Sequence, residues 1–427
     1  MGLTITGRSP FPLGSAWSFL FLLPVTATAQ QWEVFDMVTA GFPSTTVQCL
    51  AQDAQGRIWA GTDWGLCVYD GVNWEVWQSG NTGLPENDIT ALAFDAQDRL
   101  WVGTIQSGVA VFDGQGWTVH HPGNSPLPDG QVNGLAIDAL GRAWIGTPGG
   151  LAMTDGTHWR VYDDSPQSHG GFRLFGRHVR GVATRVDGLV AVTTMNGGFA
   201  CLTETEFICY TSQLHNFPDN SGNSVAFDSA GDRWVGTPSG GLVRHAGPFL
   251  DGIWFQYTAQ NSGLPENTVR SVVVEANGRK VVGTEVSGVA FLTLGGVWSV
   301  LNAANSGLPD NHVRSLLVDR DGVLWVGTLL GGLARYRSEA GITGSGQGLG
   351  LVRAWPNPAW EEVFFDTGAT SGDLEWTLLD GMGRTFATGR ASAGGPVRIG
   401  VAGLAPGTYV LRIAGHGSMG FMRLMKR

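Results

Sequence analysis

The sequence predicts an all-β chain: a seven-bladed β-propeller followed by a small, immunoglobulin-like β-sandwich. Three observations predict it. A strand-like pentapeptide ending in Gly-Thr recurs at near-constant spacing. Each copy sits among three further strand-length apolar runs separated by turn residues. The one strand missing from the last copy is present at the N-terminal side of the first.

The pentapeptide is Ile58-Trp59-Ala60-Gly61-Thr62, and it returns at 100–104, 143–147, 233–237, 280–284 and 324–328. A degenerate copy is Val190-Ala191-Val192-Thr193-Thr194. The Gly positions, with Thr193 standing in for the fourth, lie 42 to 47 residues apart. A period of that size with all-β composition indicates propeller blades. Within the second copy, Ile89 to Phe94 alternates in polarity and ends at Asp95. Leu100 to Thr104, Val109 to Phe112 and Trp117 to Val119 follow, each after a turn rich in Gly or Asp. Four antiparallel strands joined by hairpins make one blade. After the seventh Gly-Thr strand the chain supplies one more strand, to Tyr336, and then leaves the pattern. The missing outer strand is Gln31-Trp32-Glu33-Val34-Phe35, which matches Asn73-Trp74-Glu75-Val76-Trp77. Pairing the two ends closes the ring and removes exposed edges.

Composition agrees. The 427 residues hold 65 Gly and 17 Trp, with only 15% charged residues. That mix suits short strands, tight turns and wide aromatic layers. The net charge of −10 leaves no basic stripe for phosphates, so a nucleic-acid partner is excluded as an expectation.

Four segments are expected. Residues 1–29 read as a secretory signal: Arg8, the apolar run Phe19-Leu20-Phe21-Leu22-Leu23-Pro24-Val25, then Ala27-Thr28-Ala29. No stretch approaches the roughly 20 apolar residues of a membrane span, so no transmembrane segment is expected in the mature chain. The propeller occupies 31–337, a Gly-rich linker 338–350, and a separate small domain 351–427. In that domain Pro356-Asn357-Pro358 enforces extended backbone, and Asp-Gly and Pro-Gly mark turns between apolar runs, which gives a small β-sandwich.

Export makes disulfides available to the four cysteines. Cys49 and Cys67 fall on the first and third strands of one blade, about 9–10 Å apart at ordinary strand spacing, beyond disulfide reach. Cys201 and Cys209 fall on adjacent strands around a turn centred on Thr205; a bond and two free thiols are equally open for them.

Candidate chemistry is sparse. Trp59, Trp101, Trp144, Trp234 and Trp325 occupy one equivalent position in five blades, so packing between blades explains them better than sugar stacking. The same holds for Trp74, Trp117, Trp159, Trp254 and Trp298 on the fourth strand. The Asp-x-x-Gly runs at Asp53, Asp138, Asp228 and Asp319 are similar to the Asp boxes of sialidase propellers, with two residues where those boxes have one; they read as turns. Asn87, Asn267 and Asn311 of the Gly-Leu-Pro-x-Asn connections repeat too regularly for a single ligand site and read as turn caps. Nine His show no metal-ligand spacing, and no cofactor is called for.

Propeller sites sit at one mouth of the channel, here expected to be lined by the loops after the Gly-Thr strands and by the Gly-Leu-Pro-x-Asn connections. The former differ from copy to copy. Asp63 and Trp64 lead as ligand-binding residues, followed by Gln106, Asn196 and Glu285; ordinary loop variation is the competing explanation.

The repeat resembles the two-component-regulator propeller family, on residues such as Asp138-Ala139-Leu140-Gly141-Arg142-Ala143-Trp144-Ile145-Gly146-Thr147 and Asn261-Ser262-Gly263-Leu264-Pro265-Glu266-Asn267. The family's propellers are often periplasmic sensor regions of hybrid histidine kinases; this chain has no kinase segment. The last domain resembles a type IX secretion (Por) sorting domain. The matching residues are Pro356, Asn357 and Pro358, then Asp380 and Gly383, then Gly407 and Tyr409. That resemblance implies export by the type IX machinery of a Gram-negative bacterium, with release or anchoring at the outer cell surface. The function expected is therefore non-enzymatic recognition of a glycan or peptide at the mouth. Propellers resembling streptogramin B lyase use a His, a Glu and Mg²⁺ there, which would assign Glu285 and His312 to an enzymatic alternative. An accessory role in the secretion machinery is a third reading.

Overall fold

Alternating apolar strands and Gly-bearing turns make antiparallel hairpins the local structure this chain forms with least strain. The computed structural model describes residues 31–165, 168–171, 173–202, 207–215, 217–248, 252–337, 353–355, 362–366, 373–380, 385–392, 397–405, 407–415 and 418–426. The signal segment 1–29, the linker 338–350 and the motif residues Pro356, Asn357, Pro358 and Gly383 lie outside the described residues. The chain divides into two compact units, 1–339 and 340–427.

The first unit holds seven four-stranded antiparallel sheets. Blade 1 is Val47–Gln52, Ile58–Thr62, Gly65–Tyr69 and Trp74–Trp77 in hairpin order. Blades 2 to 6 repeat this at 89–120, 134–162, 179–210, 224–257 and 269–301. Blade 7 takes three strands, Val313–Val318, Leu324–Thr328 and Leu333–Arg337, and its fourth is Gln31–Phe35, with Trp32 opposite Tyr336. The expected ring closure is thus present. First strands of successive blades neighbour one another, and that of blade 7 returns to that of blade 1.

Two devices pin the blades, the first in five of them and the second in all seven. Asp53, Asp95, Asp138, Asp228 and Asp319, on the hairpin after the first strand, accept the indole N–H of Trp59, Trp101, Trp144, Trp234 and Trp325 at 2.8–3.0 Å. The Asp runs are therefore structural, as their turn chemistry suggested, and the Trp rings are 2–3% exposed between blades. Blade 2 carries Asp98 at the turn position where the other blades have Gly, at φ +60°, a conformation Asp tolerates. At the strand ends, Thr62, Thr104, Thr147, Thr194, Thr237, Thr284 and Thr328 each donate a hydroxyl bond to the carbonyl closing the next turn.

The Gly of each Gly-Thr pair faces a β-branched residue of the following blade. A Cβ on Gly103 would lie 2.6 Å from Val132, on Gly146 2.7 Å from Val179, and on Gly236 2.6 Å from Val269. The degenerate fourth copy inverts the pair: Thr193 fills the Gly position, and Gly222 replaces the branched residue, with its Cβ direction 2.6 Å from Thr193. Volume is conserved across the junction, so the ring keeps its spacing.

The second unit holds two antiparallel sheets, as a sandwich requires. One orders Arg353–Trp355, Glu362–Asp366 and Val397–Gly400; the other orders Thr385–Ser392, Asp373–Asp380, Gly407–Gly415 and Ser418–Lys426. Leu378, Ile399, Leu404 and Leu411 are buried. Of the motif residues, Asp380 pairs with Tyr409 across the sheet, Gly407 opens its strand, and the Tyr409 hydroxyl donates to Ala405 O at 3.0 Å.

The four cysteines are free. The bond considered between Cys201 and Cys209 does not form. Cys201 sits opposite Ile208 and Cys209 opposite Ala200, so the two side chains project from opposite faces of the blade. Burial raises both thiols, to about 12 for Cys201 and about 11 for Cys209. Cys49 and Cys67 are likewise separate; Cys49 faces Gly61 and donates weakly to Ile89 O at 3.6 Å.

Candidate functional site

First and second strands run antiparallel, so the loop after each second strand lies at the same end as the connection into each first strand. The two loop sets are tied together by backbone bonds. Ile105, Met195, Glu285 and Leu329 donate N–H bonds to the carbonyls of Asp88, His178, Thr268 and His312. The variable residue of Leu-Pro-x-Asn completes the tie. Glu86 accepts from the amides of Gln106 and Ser107, and Glu266 from those of Val286 and Ser287. Asp219 accepts from Ser239 N, and Asp310 from Leu330 N. The Asn that follows caps the preceding turn: Asn87, Asn220, Asn267 and Asn311 accept from Ser79, Ser212, Ala259 and Ala303 at 2.8–2.9 Å. These carboxylates and amides hold the mouth; they are not aimed at a ligand.

On that frame the loop side chains differ. Trp64 is 62% exposed; among the described residues its hydrogen bonds are made by its backbone, to Thr62 Oγ1 and from the Gln78 side chain. Asp63 is half-buried, and its Oδ1 has no hydrogen-bond partner among the described residues. Gln106 is exposed, with its amide bound to Glu86. Asn196 is exposed at φ +65°, so its residue type also answers a turn requirement. Its amide donates to Ser221 Oγ at 3.1 Å. Phe175, Met195, Val286 and Leu330 join Trp64 as exposed apolar side chains at this end.

Glu285 and His312 do not form a pair. The Glu285 carboxylate is bonded to Arg270, and that hydrogen bond, then the Arg270 charge, holds it below the usual range against burial. His312 Nδ1 sits 3.0 Å from Asp310 Oδ1. Among the described residues no group of three or more His, Cys, Asp or Glu is placed to hold a metal ion.

A set of residues missed in the sequence lies deeper. In blades 1, 2, 4, 6 and 7 the ladder between first and second strands slips by one residue, at Gln48, Thr90, Arg180, Arg270 and Arg314. Asn133 and Asn223 occupy the equivalent places in blades 3 and 5. A bulge re-aims a side chain. Here most of these side chains reach the next blade. Gln48 Nε2 donates to Asp88, Thr90 Oγ1 to Val132 O, Asn133 Nδ2 to Val179 O, Arg180 to Asn223 Oδ1 and Asn223 Nδ2 to Val269 O. Together they form a throat inside the mouth. The signal in the sequence was the recurrent Val-Arg at 179–180, 269–270 and 313–314, one residue inside each first strand.

The throat is polarised. Asp88 is pushed up by burial, and Asp63 and Glu86 add to that against the bond from Gln48. On the other side, burial and then the charge of Arg270 pull Arg180 down, against the opposing charge of Asp219. A surface pocket lined by Trp32, Glu33, Arg335 and Arg337 lies on the closing strand pair and is a structural contact: Arg335 pairs with Glu33 and packs over Trp325.

Three segments, 41–64, 83–106 and 307–329, match the two component regulator propeller family. No curated protein matches the chain in sequence. Among solved structures, it is similar to the extracellular domain of BT3049 from B. thetaiotaomicron, described as a hybrid two component system. The TM-score is 0.63 at 16% identity, over 93% of this chain and 57% of that one. It is similar to PorZ, an essential bacterial surface component of the type-IX secretion system of Porphyromonas gingivalis, with TM-score 0.55 and 18% identity, over 92% and 60%. It is also similar to virginiamycin B lyase from Staphylococcus aureus, with TM-score 0.58 and 11% identity, over 72% and 99%. The chain spans about three fifths of the length of the first two. At these identities the likeness establishes the fold. The chain is a seven-bladed β-propeller that carries two component regulator propeller repeats, followed by a small all-β unit.

Proposed function

We propose that this chain is an exported, non-enzymatic binding protein. Its propeller takes a glycan or peptide at the channel mouth, and its C-terminal unit is a sorting domain read by type IX secretion machinery. The observation that carries the binding reading is the contrast between frame and side chains. The mouth loops of blades 2, 4, 6 and 7 share an anchoring backbone bond, yet they expose different side chains, Met195, Val286 and Leu330 among them, and the blade 1 loop exposes Trp64. A scaffold requirement would repeat, as the Asp–Trp bonds do; these residues do not. Recognition sites are built from varied loops on a rigid frame.

The test is a thermal-shift screen of the full chain against glycans, peptides and divalent metals. A ligand bound only to the folded state stabilises by about 2.7 kcal/mol at 100 times its dissociation constant. A glycan or peptide shift lost in Trp64→Ala supports the reading. A shift given by metals alone, and lost in Glu285→Ala, replaces it with the enzymatic alternative. That alternative is weakened because Glu285 and His312 each answer to another partner.

An accessory role in secretion is the second reading, favoured by the fold shared with PorZ. Segments 1–29, 31–337, 338–350 and 351–427 are taken as signal, propeller, linker and sorting domain, with release or anchoring at the outer surface. Removing 351–427 should then leave the protein in the periplasm; delivery to the surface without that segment would refute it.

A further inference from the structure

The strongest unexplained feature is the charge pattern of the throat. At the opposite end of the blades, cations have carboxylates. Arg57, Arg99 and Arg142 pair with Asp53, Asp95 and Asp138 at 2.6–2.7 Å, Arg185 with Asp187 at 2.5 Å, and Arg279 with Glu275. In the throat Arg270 is bonded to Glu285, which also feels the charge of Arg314, while Arg180 lies within reach of the charges of Arg270 and Asp219. The Arg180 guanidinium donates to the neutral oxygen of Asn223 and makes no ion pair among the described residues. Arg314 is exposed and makes no ion pair among the described residues. The acids nearest in the frame, Asp219, Glu266 and Asp310, keep their charge but are turned to backbone amides of the loops and not to a guanidinium.

Guanidinium groups gathered in one opening, two of them without an ion pair, are complementary to an oxyanion. What surrounds them narrows the ligand. Phe175, Met195, Val286 and Leu330 stand exposed at the same end, in the loops of blades 4, 6 and 7 or leading into them, and Trp64 stands in blade 1 beside blade 7. Met, Val and Leu present neither the flat face nor the polar groups that hold a pyranose ring. They bury apolar side chains, and polypeptide partners supply those.

Resting on the reading that the mouth binds a ligand, we infer that its ligand is an acidic polypeptide segment. A Glu, Asp or C-terminal carboxylate of that segment enters the throat between Arg180, Arg270 and Arg314, and flanking apolar side chains seat on Trp64, Phe175, Met195, Val286 and Leu330. Arg270 is already bonded to Glu285, so Arg180 and Arg314 make the new bonds while Arg270 and Glu285 fix the wall between them.

The experiment is selection of a displayed random dodecapeptide library on the full chain, with the enriched peptides remeasured by titration. The expected result is enrichment of Asp or Glu flanked by apolar residues. Affinity should fall roughly tenfold or more in Arg314→Gln and in Arg180→Gln, as for truncation of a desolvated charge. It should be retained in Arg314→Lys and in Arg160→Gln, an exposed outer-strand control. Arg314 is exposed, so its variants report on binding even if Arg180→Gln lowers stability. Affinity should also fall with added salt. Enriched peptides without an acid, or peptides indifferent to both Arg variants, overturn the inference and leave the mouth reading standing. Binding confined to acidic oligosaccharides on a glycan array overturns it in the same way. Silence of library and array together removes the mouth reading itself.

Discussion

Thr193 and Gly222 form an exchanged pair at the junction of blades 4 and 5, and a double-mutant cycle measures it. Gly222→Val alone places a Cβ 2.6 Å from Thr193 Cβ and Cγ2, inside contact distance. Overpacking of this kind costs about 1–3 kcal/mol. Thr193→Gly alone removes a buried methyl, worth about 0.8 kcal/mol. It also removes the hydroxyl that accepts from Gly181 N at 2.9 Å, worth about 1 kcal/mol, and adds a strand glycine at about 0.5–1 kcal/mol. Its cost is therefore about 2–3 kcal/mol. The double variant recreates the Gly-facing-Val arrangement of the blade 2–3 junction, where a Cβ on Gly103 would meet Val132 at 2.6 Å. It should recover about 2 kcal/mol relative to the sum of the singles. Urea midpoints compared at equal m-value give the four corners of the cycle. Additivity within about 0.5 kcal/mol would refute the reasoning, because it would mean that the two side chains do not share one space.

Asp138→Ala should cost about 3 kcal/mol, since it strips the partner from Trp144 Nε1, Arg142 Nε and two backbone amides, and urea unfolding reads it. Burial raises this carboxyl, but the bonds from Trp144 and Arg142 outweigh it and set it below 3.8, so its stabilisation holds above that pH and fades as pH falls further. His245 behaves in the acid range too. Burial, then Arg233, lowers it to about 4, while its ring stacks on Trp254 at 4.2 Å. The unfolded chain takes that proton near 6.5 and the folded chain does not. Stability is therefore full above about 6.5 and falls by about 3 kcal/mol on the way down to 4; His245→Phe should flatten melting temperature against pH in that window. Cys201 and Cys209 should give the same intact mass before and after reduction and should resist alkylation until unfolding; a two-dalton difference would contradict the register.

The blade count, the closing strand, the structural Asp and Trp positions and the Asn caps were legible in the sequence. They repeat, and repetition turns a local requirement into a visible pattern. The fourth blade was legible only as a degenerate copy, because the compensation for Thr193 lies 29 residues away at Gly222 and shows only where the two meet. The cysteine question turned on one residue of register. Strand neighbours were correctly expected, but a shift of one places Cys201 and Cys209 on opposite faces, and side-chain period two leaves nothing between.

Of the candidate residues, Trp64 and Gln106 stand exposed at the mouth, Asn196 does so while meeting a backbone demand, and Glu285 is turned to Arg270. The arginine throat was written in the chain as three Val-Arg steps and was not read, because alternation places those residues on a strand without saying that the strand slips there. Sequence by itself determined the ring, since hairpins and a 42–47-residue period depend on neighbours along the chain. Only the tertiary structure decided which charges are matched. Arg142 finds its carboxylate four residues away, whereas Arg180, Arg270 and Arg314 come from three blades, and a charge balance among distant residues exists only once the ring has closed.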